Sequence, residues 1–364
     1  MISMKKAVWA ICLTLLLFLI GCEQQTAQNT PSPPPNVTAT PGQTPETTMG
    51  PITGPTAAEP FINLDQVESG ISLTTGLPTD KAYTPVAVMI NNHPEARPQS
   101  GIGVADIVYE QTIEGGCTRF MAIFNDTLLK KVGSVRSSRV PFANIRQEWD
   151  TIFCHWGGQG EMNGENAVKK TFNNTNIKQR YDGMNNTKFF FRDTKGSAPH
   201  NGFVNVEAVA AELNYTPEVR IIPFNKDKDL SSWESIDTVT INYSHSSYIA
   251  KYQWDDNEKA FLRFTGGKAH MEATTKKQVQ VKNVIIQEVP HRTLPDSSKH
   301  VVTNIIGSGK CYFMRDGKYI EGTWEKASKT ERTIYKDANG IEIEFTPGNT
   351  WISHVSQQHT ITIK

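Results

Sequence analysis

From residue 235 onward the chain repeats one pattern, a short β-type run closed by a turn pair. Nothing else in the sequence restricts the fold as tightly. The runs fall at 239–243, 249–254, 260–264, 279–288, 301–305, 310–313, 318–324, 332–335, 342–345 and 350–356. Between them lie Asp256-Asn257, Asp316-Gly317, Asn339-Gly340 and Pro347-Gly348. Asp-Gly and Asn-Gly pairs supply the positive φ angles that tight hairpins need. A mainly antiparallel β domain over residues 223–364 is therefore expected.

The preceding part reads differently. Apolar runs at 84–90, 105–112 and 119–125 predict strands, the last two joined through Gly115-Gly116 as an antiparallel hairpin. In the second of these, Ile107 and Tyr109 share one face and Val108 the other. A short strand or bend follows at 132–135. Residues 139–149 predict a helix, with Pro141 in the first turn where its missing N–H costs little. Phe142, Ile145 and Trp149 recur at helical spacing and should face the core. A strand at 151–155 ends in Trp156-Gly157-Gly158, a helix is expected over 161–171, and a buried strand over 189–191. A second helix is expected over 204–213. The fold class expected is α+β, with a mixed α/β sheet domain at 61–222 carrying a ligand cleft and the antiparallel β domain after it.

Ahead of these lie two segments of other character. Lys5 and Lys6 precede an apolar run from Ala7 to Ile20, and Leu19-Ile20-Gly21-Cys22 closes it. The run is too short to span a bilayer stably and suits a signal-peptide core. Its ending resembles a bacterial lipoprotein signal, so residues 1–22 are expected to direct diacylglyceryl attachment at Cys22. Acyl chains contribute about 0.8 kcal/mol per buried methylene, which holds such a protein on the extracytoplasmic face of the membrane. Residues 23–60 are Thr, Pro, Gln, Asn and Gly with almost no large apolar side chains. A segment of that composition cannot offset its chain entropy by burial and is expected to be a disordered tether. Its coil span is on the order of 35 Å, with a polyproline-like limit near ~115 Å.

Lys+Arg and Asp+Glu both number 37, so no global field draws the chain to nucleic acid. Any anion site must be local. Beyond the N-terminal segment, Cys117, Cys154 and Cys311 are too few and too scattered for a disulfide framework. Zinc-ligand spacing is absent from the sequence, and no cofactor or metal is expected.

The candidate ligand residues cluster at strand ends beside glycines: Arg97, Gln99, Arg119, Arg136, Ser137, Arg139, His155 and His200. Guanidinium groups match phosphate and carboxylate bidentately, and a helix start at 136–139 adds backbone N–H donors. The competing expectation is that these arginines pair internally with Asp106, Glu110, Glu114 and Asp126. Neighbouring side chains on a strand point to opposite faces. Cys154 and His155 therefore cannot form a nucleophile–base pair, and His155 is the one expected to reach a site. His200, in His200-Asn201-Gly202, is expected in the same cleft. Glu110, Glu114 and Glu161 are candidate acid–base carboxylates for a glycan reaction. Gly307-Ser308-Gly309-Lys310 lacks the frame of a phosphate loop and reads as a hairpin turn. Trp324 and Trp351 read as core residues rather than sugar platforms.

Several blocks taken together resemble the YerB-like bacterial lipoproteins. They are Arg97-Pro98-Gln99-Ser100-Gly101, Ala105 to Glu110, Glu114-Gly115-Gly116 with Thr118-Arg119-Phe120, Val135-Arg136-Ser137 with Arg139, and His155 to Gly158. Gly322-Thr323-Trp324-Glu325-Lys326 and Pro347 to Ile352 are similar to that family's second domain. The resemblance implies an envelope lipoprotein of two domains and carries over no catalytic residue. The function expected is binding of an anionic or glycan envelope ligand, or of a cell-wall polymer or wall-enzyme partner. The alternative is a hydrolase or transferase acting on wall glycan or an anionic polymer.

Overall fold

The computed structural model describes residues 69–158, 172, 177–295 and 298–364. The expected signal peptide, Cys22, the tether, the helix over 161–171 and Glu161 lie outside the described residues. In the first part the strands are β1 (Val86–Asn91), β2 (Ile107–Thr112), β3 (Thr118–Phe124), β4 (Val132–Gly133), β5 (Ile152–His155), β6 (Arg180–Asp182), β7 (Phe190–Arg192) and β8 (Gly202–Val204). In the second they are β9 (Glu234–Ser235), β10 (Thr238–Asn242), β11 (Ala250–Asp255), β12 (Ala260–Thr265), β13 (Lys268–Ala269), β14 (Gln280–Val281) and β15 (Asn283–Glu288). There follow β16 (His291–Thr293), β17 (Val301–Thr303), β18 (Gly307–Arg315), β19 (Lys318–Lys326), β20 (Ile334–Lys336), β21 (Thr350–Val355) and β22 (Thr360–Ile363). The helices are α1 (Val140–Ile145), continued by a 3-10 turn at Arg146–Trp149, and α2 (Val206–Ala210).

Eleven strands form one sheet in the order β20-β19-β18-β15-β21-β2-β3-β1-β5-β6, with β9 on β19. Strands from both parts of the chain therefore share it. β15, β21 and β2 pair in parallel, and so do β1, β5 and β6. β3 runs antiparallel between β2 and β1, so all six parallel-paired strands point the same way. A second sheet, β13-β12-β11-β10-β22 with β14, is antiparallel. The antiparallel expectation for the second part holds for this sheet. It fails for β15 and β21, which leave the expected domain to extend the first sheet. With 41% strand and 10% helix the fold is mostly β, and the α component of the expected class shrinks to short helices.

The alternation expected in β2 is observed. Ile107 and Tyr109 join Phe142, Ile145, Trp149, Phe313 and Trp324 on one face. Val108 joins Phe120, Tyr252, Phe261 and Trp351 on the other, beneath the second sheet. β1, central and covered on both faces, is buried at every residue, as a continuous apolar run should be. Trp324 and Trp351 are each 1% exposed, so both are core residues. Asp316 and Gly317 have φ of 51° and 71° between β18 and β19, and a Cβ on Gly317 would stand 2.8 Å from Trp254 Nε1.

Local expectations are corrected in three places. Gly307 to Lys310 is not a turn but the start of β18, paired with β19 as far as Lys326, because the turn lies further on at Asp316-Gly317. Of Phe189, Phe190 and Phe191 only the first two are buried, and Phe191 is exposed on short β7. The helix expected over 204–213 is shorter: Val204 closes β8, Asn205 caps the Ala208 N–H, and the helix runs only over Val206–Ala210.

Buried polar groups hold the second part to the first. Arg263 Nη2 on β12 donates to Glu110 Oε2 on β2 at 2.7 Å, and both side chains are fully buried. Glu110 also accepts from Thr118 Oγ1 (2.8 Å) and Trp351 Nε1 (3.2 Å). Arg263 Nη1 donates to His270 Nδ1, and His270 Nε2 donates to Gln99 Oε1 at 2.8 Å. Arg263 also lies 4.3 Å over the Trp351 ring. A second buried pair, Lys326 with Glu148 at 2.8 Å, does the same on the opposite face.

Buried histidines make the fold acid-sensitive. Burial, with His291 and Lys326 nearby, pushes His354 down to about 3, and burial with His359 nearby pushes His291 down to about 3. In the unfolded chain both protonate near ~6.5. The unfolded state therefore binds more protons between those values, and stability present above pH ~6.5 is lost as pH falls toward ~3. Urea melts are expected to give a midpoint that falls steadily below pH ~6.5, with a shallower slope for His354→Gln.

Candidate functional site

Because β1, β2, β5 and β6 point the same way, their carboxyl ends (Asn91, Thr112, His155 and Asp182) lie along one edge of the sheet. Ligands of sheets with parallel strands commonly bind outside the strands' carboxyl ends. Arg119, the second residue of antiparallel β3, lies at this edge, opposite Asn91 and Gln111. The segment carrying Arg136 to Arg139 lies across it. Arg136 N–H donates to Met89 O on β1, and Ser138 N–H donates to Gly157 O just past β5.

Three of the expected arginines meet there against one carboxylate. Arg139 donates through Nε and Nη2 to the two carboxylate oxygens of Glu114, at 2.8 Å for Nε. Burial alone would raise the Glu114 carboxyl, but the hydrogen bonds and charge of Arg139, aided by Arg119, hold it down to about 2. Arg119 is 5% exposed. It donates through Nη1 to Ser137 O at 2.8 Å, a carbonyl and not an anion. Burial, then the charges of Arg139 and Arg136, lower Arg119 to about 9. Arg136 is lowered by burial and by Arg139, and Arg192 adds a further like charge. Among the described residues, Arg119 Nε and Arg136 Nε are buried donors without a hydrogen-bond partner. An unpaired buried donor costs about 1–3 kcal/mol, so the constellation is short of acceptors.

The other expected residues lie elsewhere. Arg97 and Gln99 belong to the buried network below the edge. Arg97 donates to Asn92 Oδ1 (3.1 Å), Asn92 O (2.8 Å) and Ser247 O (2.8 Å), and Gln99 Nε2 donates to Asn91 O at 2.9 Å. Ser137 stays at the edge, its Oγ donating to Trp156 O at 3.1 Å. His155 is 1% exposed. Its Nδ1 donates to Gly157 O at 2.7 Å, and its Nε2 accepts from Arg180 Nη1 at 3.1 Å. Both ring nitrogens are therefore engaged. Cys154 faces the core, and burial raises its thiol. Cys117, Cys154 and Cys311 are free cysteines.

His200 meets a different set of partners from His155. Its Nδ1 accepts from Asn91 Nδ2 at 2.8 Å, its Nε2 lies 3.1 Å from Glu95 Oε2, and its ring stacks on His93. Burial, followed by His93 and Arg136, lowers its pKa. His200 also lines an open groove with Ser100, Lys131, Asp193, Lys195, Thr274 and Lys276, drawn from both parts of the chain, in which Lys131 pairs with Asp193. Arg192 and Glu95 also reach this edge, although no motif marks either in the sequence. Arg192 lies 4.4 Å over the Trp156 ring, which in turn fills space where a Cβ on Gly183 or Gly202 would clash at 2.6 and 2.7 Å.

The chain belongs to the family described as "Protein of unknown function (DUF3048)": its N-terminal domain matches residues 74–218 and its C-terminal domain residues 239–352. Both matched segments contribute strands to the eleven-stranded sheet. A relative is "Putative lipoprotein YerB" of Bacillus subtilis (strain 168), 30% identical over 293 residues, which are 77% of this chain and 85% of that protein. The crystal structure of YerB from Bacillus subtilis is also similar. It has a TM-score of 0.69 at 28% identity and covers 80% of this chain and 99% of that one.

Replacing Arg139 by Ala is expected to let the Glu114 carboxyl rise from about 2 toward or above ~4.5. Carboxyl NMR titration checks this. The pair's contribution to stability, present above pH ~4.5 and lost as pH falls toward ~2, should vanish in the same variant.

Proposed function

We propose that this chain is an extracytoplasmic lipoprotein that binds an anionic ligand of the cell envelope at the carboxyl edge of its sheet. Residues 1–22 are its signal peptide, diacylglyceryl-modified Cys22 its membrane anchor, and residues 23–60 a tether. Residues 61–222 carry the cleft, and 223–364 form the second domain. The similarity to a protein named a lipoprotein supports the anchor.

One observation carries the ligand assignment. Arg119, Arg136 and Arg139 converge with a single carboxylate, Glu114, and two of them leave buried donors unpaired. A phosphate or carboxylate would supply the missing acceptors and relieve the mutual repulsion that lowers Arg119. The groove beside His200, where Lys195 and Lys276 stand with the Lys131–Asp193 pair, offers a path for the neighbouring units of a polymer such as a phosphate-bearing wall chain. Glu114, held ionised by Arg139, is a poor general acid, and buried His155 has no free ring nitrogen. These two observations support the binding reading over the hydrolase or transferase alternative, in which His200 is the remaining acid–base candidate.

Thermal melts of the full chain in detergent, with inorganic phosphate, sulfate or purified anionic wall polymer, test the assignment. An anion at a hundred times its dissociation constant should stabilise the fold by about 2.7 kcal/mol. Arg136→Ala should remove that shift while leaving the ligand-free melt nearly unchanged. No shift at millimolar anion, or an equal shift in Arg136→Ala, contradicts the proposal.

A further inference from the structure

We propose that His93, Glu95 and His200 form a site for one divalent transition-metal ion of the zinc or cobalt type, with one coordination position open to solvent. No metal-ligand spacing marks these residues in the sequence. Folding brings them together, because His93 and Glu95 follow β1 and His200 precedes β8. One donor atom from each lies within 4.8 Å of the others. His200 Nε2 and Glu95 Oε2 are 3.1 Å apart, near the ~3.4 Å that two donors adopt on one tetrahedral ion with bonds of ~2.1 Å. His93 Nδ1 lies 4.0 Å from Glu95 Oε2, so a small rotation of its ring completes the set.

The donor set also selects the ion. Two imidazoles and one carboxylate suit zinc-type ions, whereas calcium and magnesium prefer oxygen alone. Three protein ligands leave a fourth position vacant, and the Glu95 side chain is 72% exposed, which opens the set to solvent. The 3-10 turn Pro94–Ala96 sets the spacing between His93 and Glu95, and its cap, the Glu95 N–H donating to His93 Nδ1 at 3.3 Å, is given up when Nδ1 turns to the metal. The two imidazoles are stacked with centroids 4.8 Å apart and planes at 21°, which keeps them side by side.

Asn91 sets the proton balance. Its Nδ2 donates to His200 Nδ1, which places the His200 proton on Nε2 facing Glu95. A metal bound at Nε2 moves that proton to Nδ1, with none gained or lost by the ring. The Asn91 amide then turns to present Oδ1, giving up the bond it accepts from His93 N–H. An acceptor fixed at position 91 should therefore favour the metal. Arg136 lies near enough to act on His200, and the Glu95 carboxylate is the charge that offsets it.

The test uses the untagged full chain in detergent, titrated with Co²⁺ and followed by its visible d–d absorption, then with Zn²⁺ in competition. One ion per chain is expected. Exposed Glu95→Gln and His200→Ala should each weaken binding about 100-fold, and Asn91→Asp should strengthen it about 10-fold, with circular dichroism melts confirming folded protein. A missing d–d band, or Co²⁺ affinity unchanged in both Glu95→Gln and His200→Ala, overturns the site. Because no anion is added, the outcome is independent of the arginine assignment.

Discussion

The contact between Glu110 and Arg263 governs how the two parts of this chain fit together. Each charge is fully buried, and each is compensated mainly by the other. Removing ions of this size from water costs several kcal/mol apiece, so neither side chain belongs in the interior unless its partner arrives. Glu110 sits on β2, in the segment matched by the family's first domain. Arg263 sits on β12, in the segment matched by its second. The pair therefore acts as a registration device as well as a contact. Trp351 and Thr118, on β21 and β3, and His270 with Gln99, on the segments after β13 and β1, complete its hydrogen bonds.

The functional edge follows from the same construction. Gln99 and Asn92, which stabilise the network from below, lie in the loop after β1 and hold the backbone from which Asn91, His93 and Glu95 project. Arg119 is set between the ends of β1 and β2. A rigid base thus supports an edge with too many guanidinium groups for its carboxylates. The strain is electrostatic and local, since the chain as a whole carries equal numbers of acidic and basic residues.

Much of this was legible before folding, and the limits have physical causes. β1, β2, β3 and β5 follow from apolar runs bounded by Asn, Gly and Pro, and the inward face of α1 from Phe142, Ile145 and Trp149. Strand direction was not legible. Nothing in residues 350–356 shows that β21 enters between β15 and β2 in parallel, because such pairing is settled by distant partners rather than local pattern. Glu114 with Arg139 was one of the internal pairs anticipated. Arg263 escaped notice because a charged residue within an alternating strand normally faces water. His155 appeared site-ready at a strand end, yet the turn at Gly157 folds a carbonyl back onto it. His93 and His200, far apart in sequence, become neighbours only through the fold.

A double-mutant cycle on Glu110 and Arg263, read by urea unfolding at neutral pH, tests the central claim that this buried pair joins the two parts. Arg263→Met alone is expected to destabilise by about 3–5 kcal/mol, because Glu110 is left as an uncompensated buried charge. Glu110→Gln combined with Arg263→Met should cost clearly less than the two single changes added together. Additive losses, or an Arg263→Met variant within about 1 kcal/mol of the parent, would contradict the account.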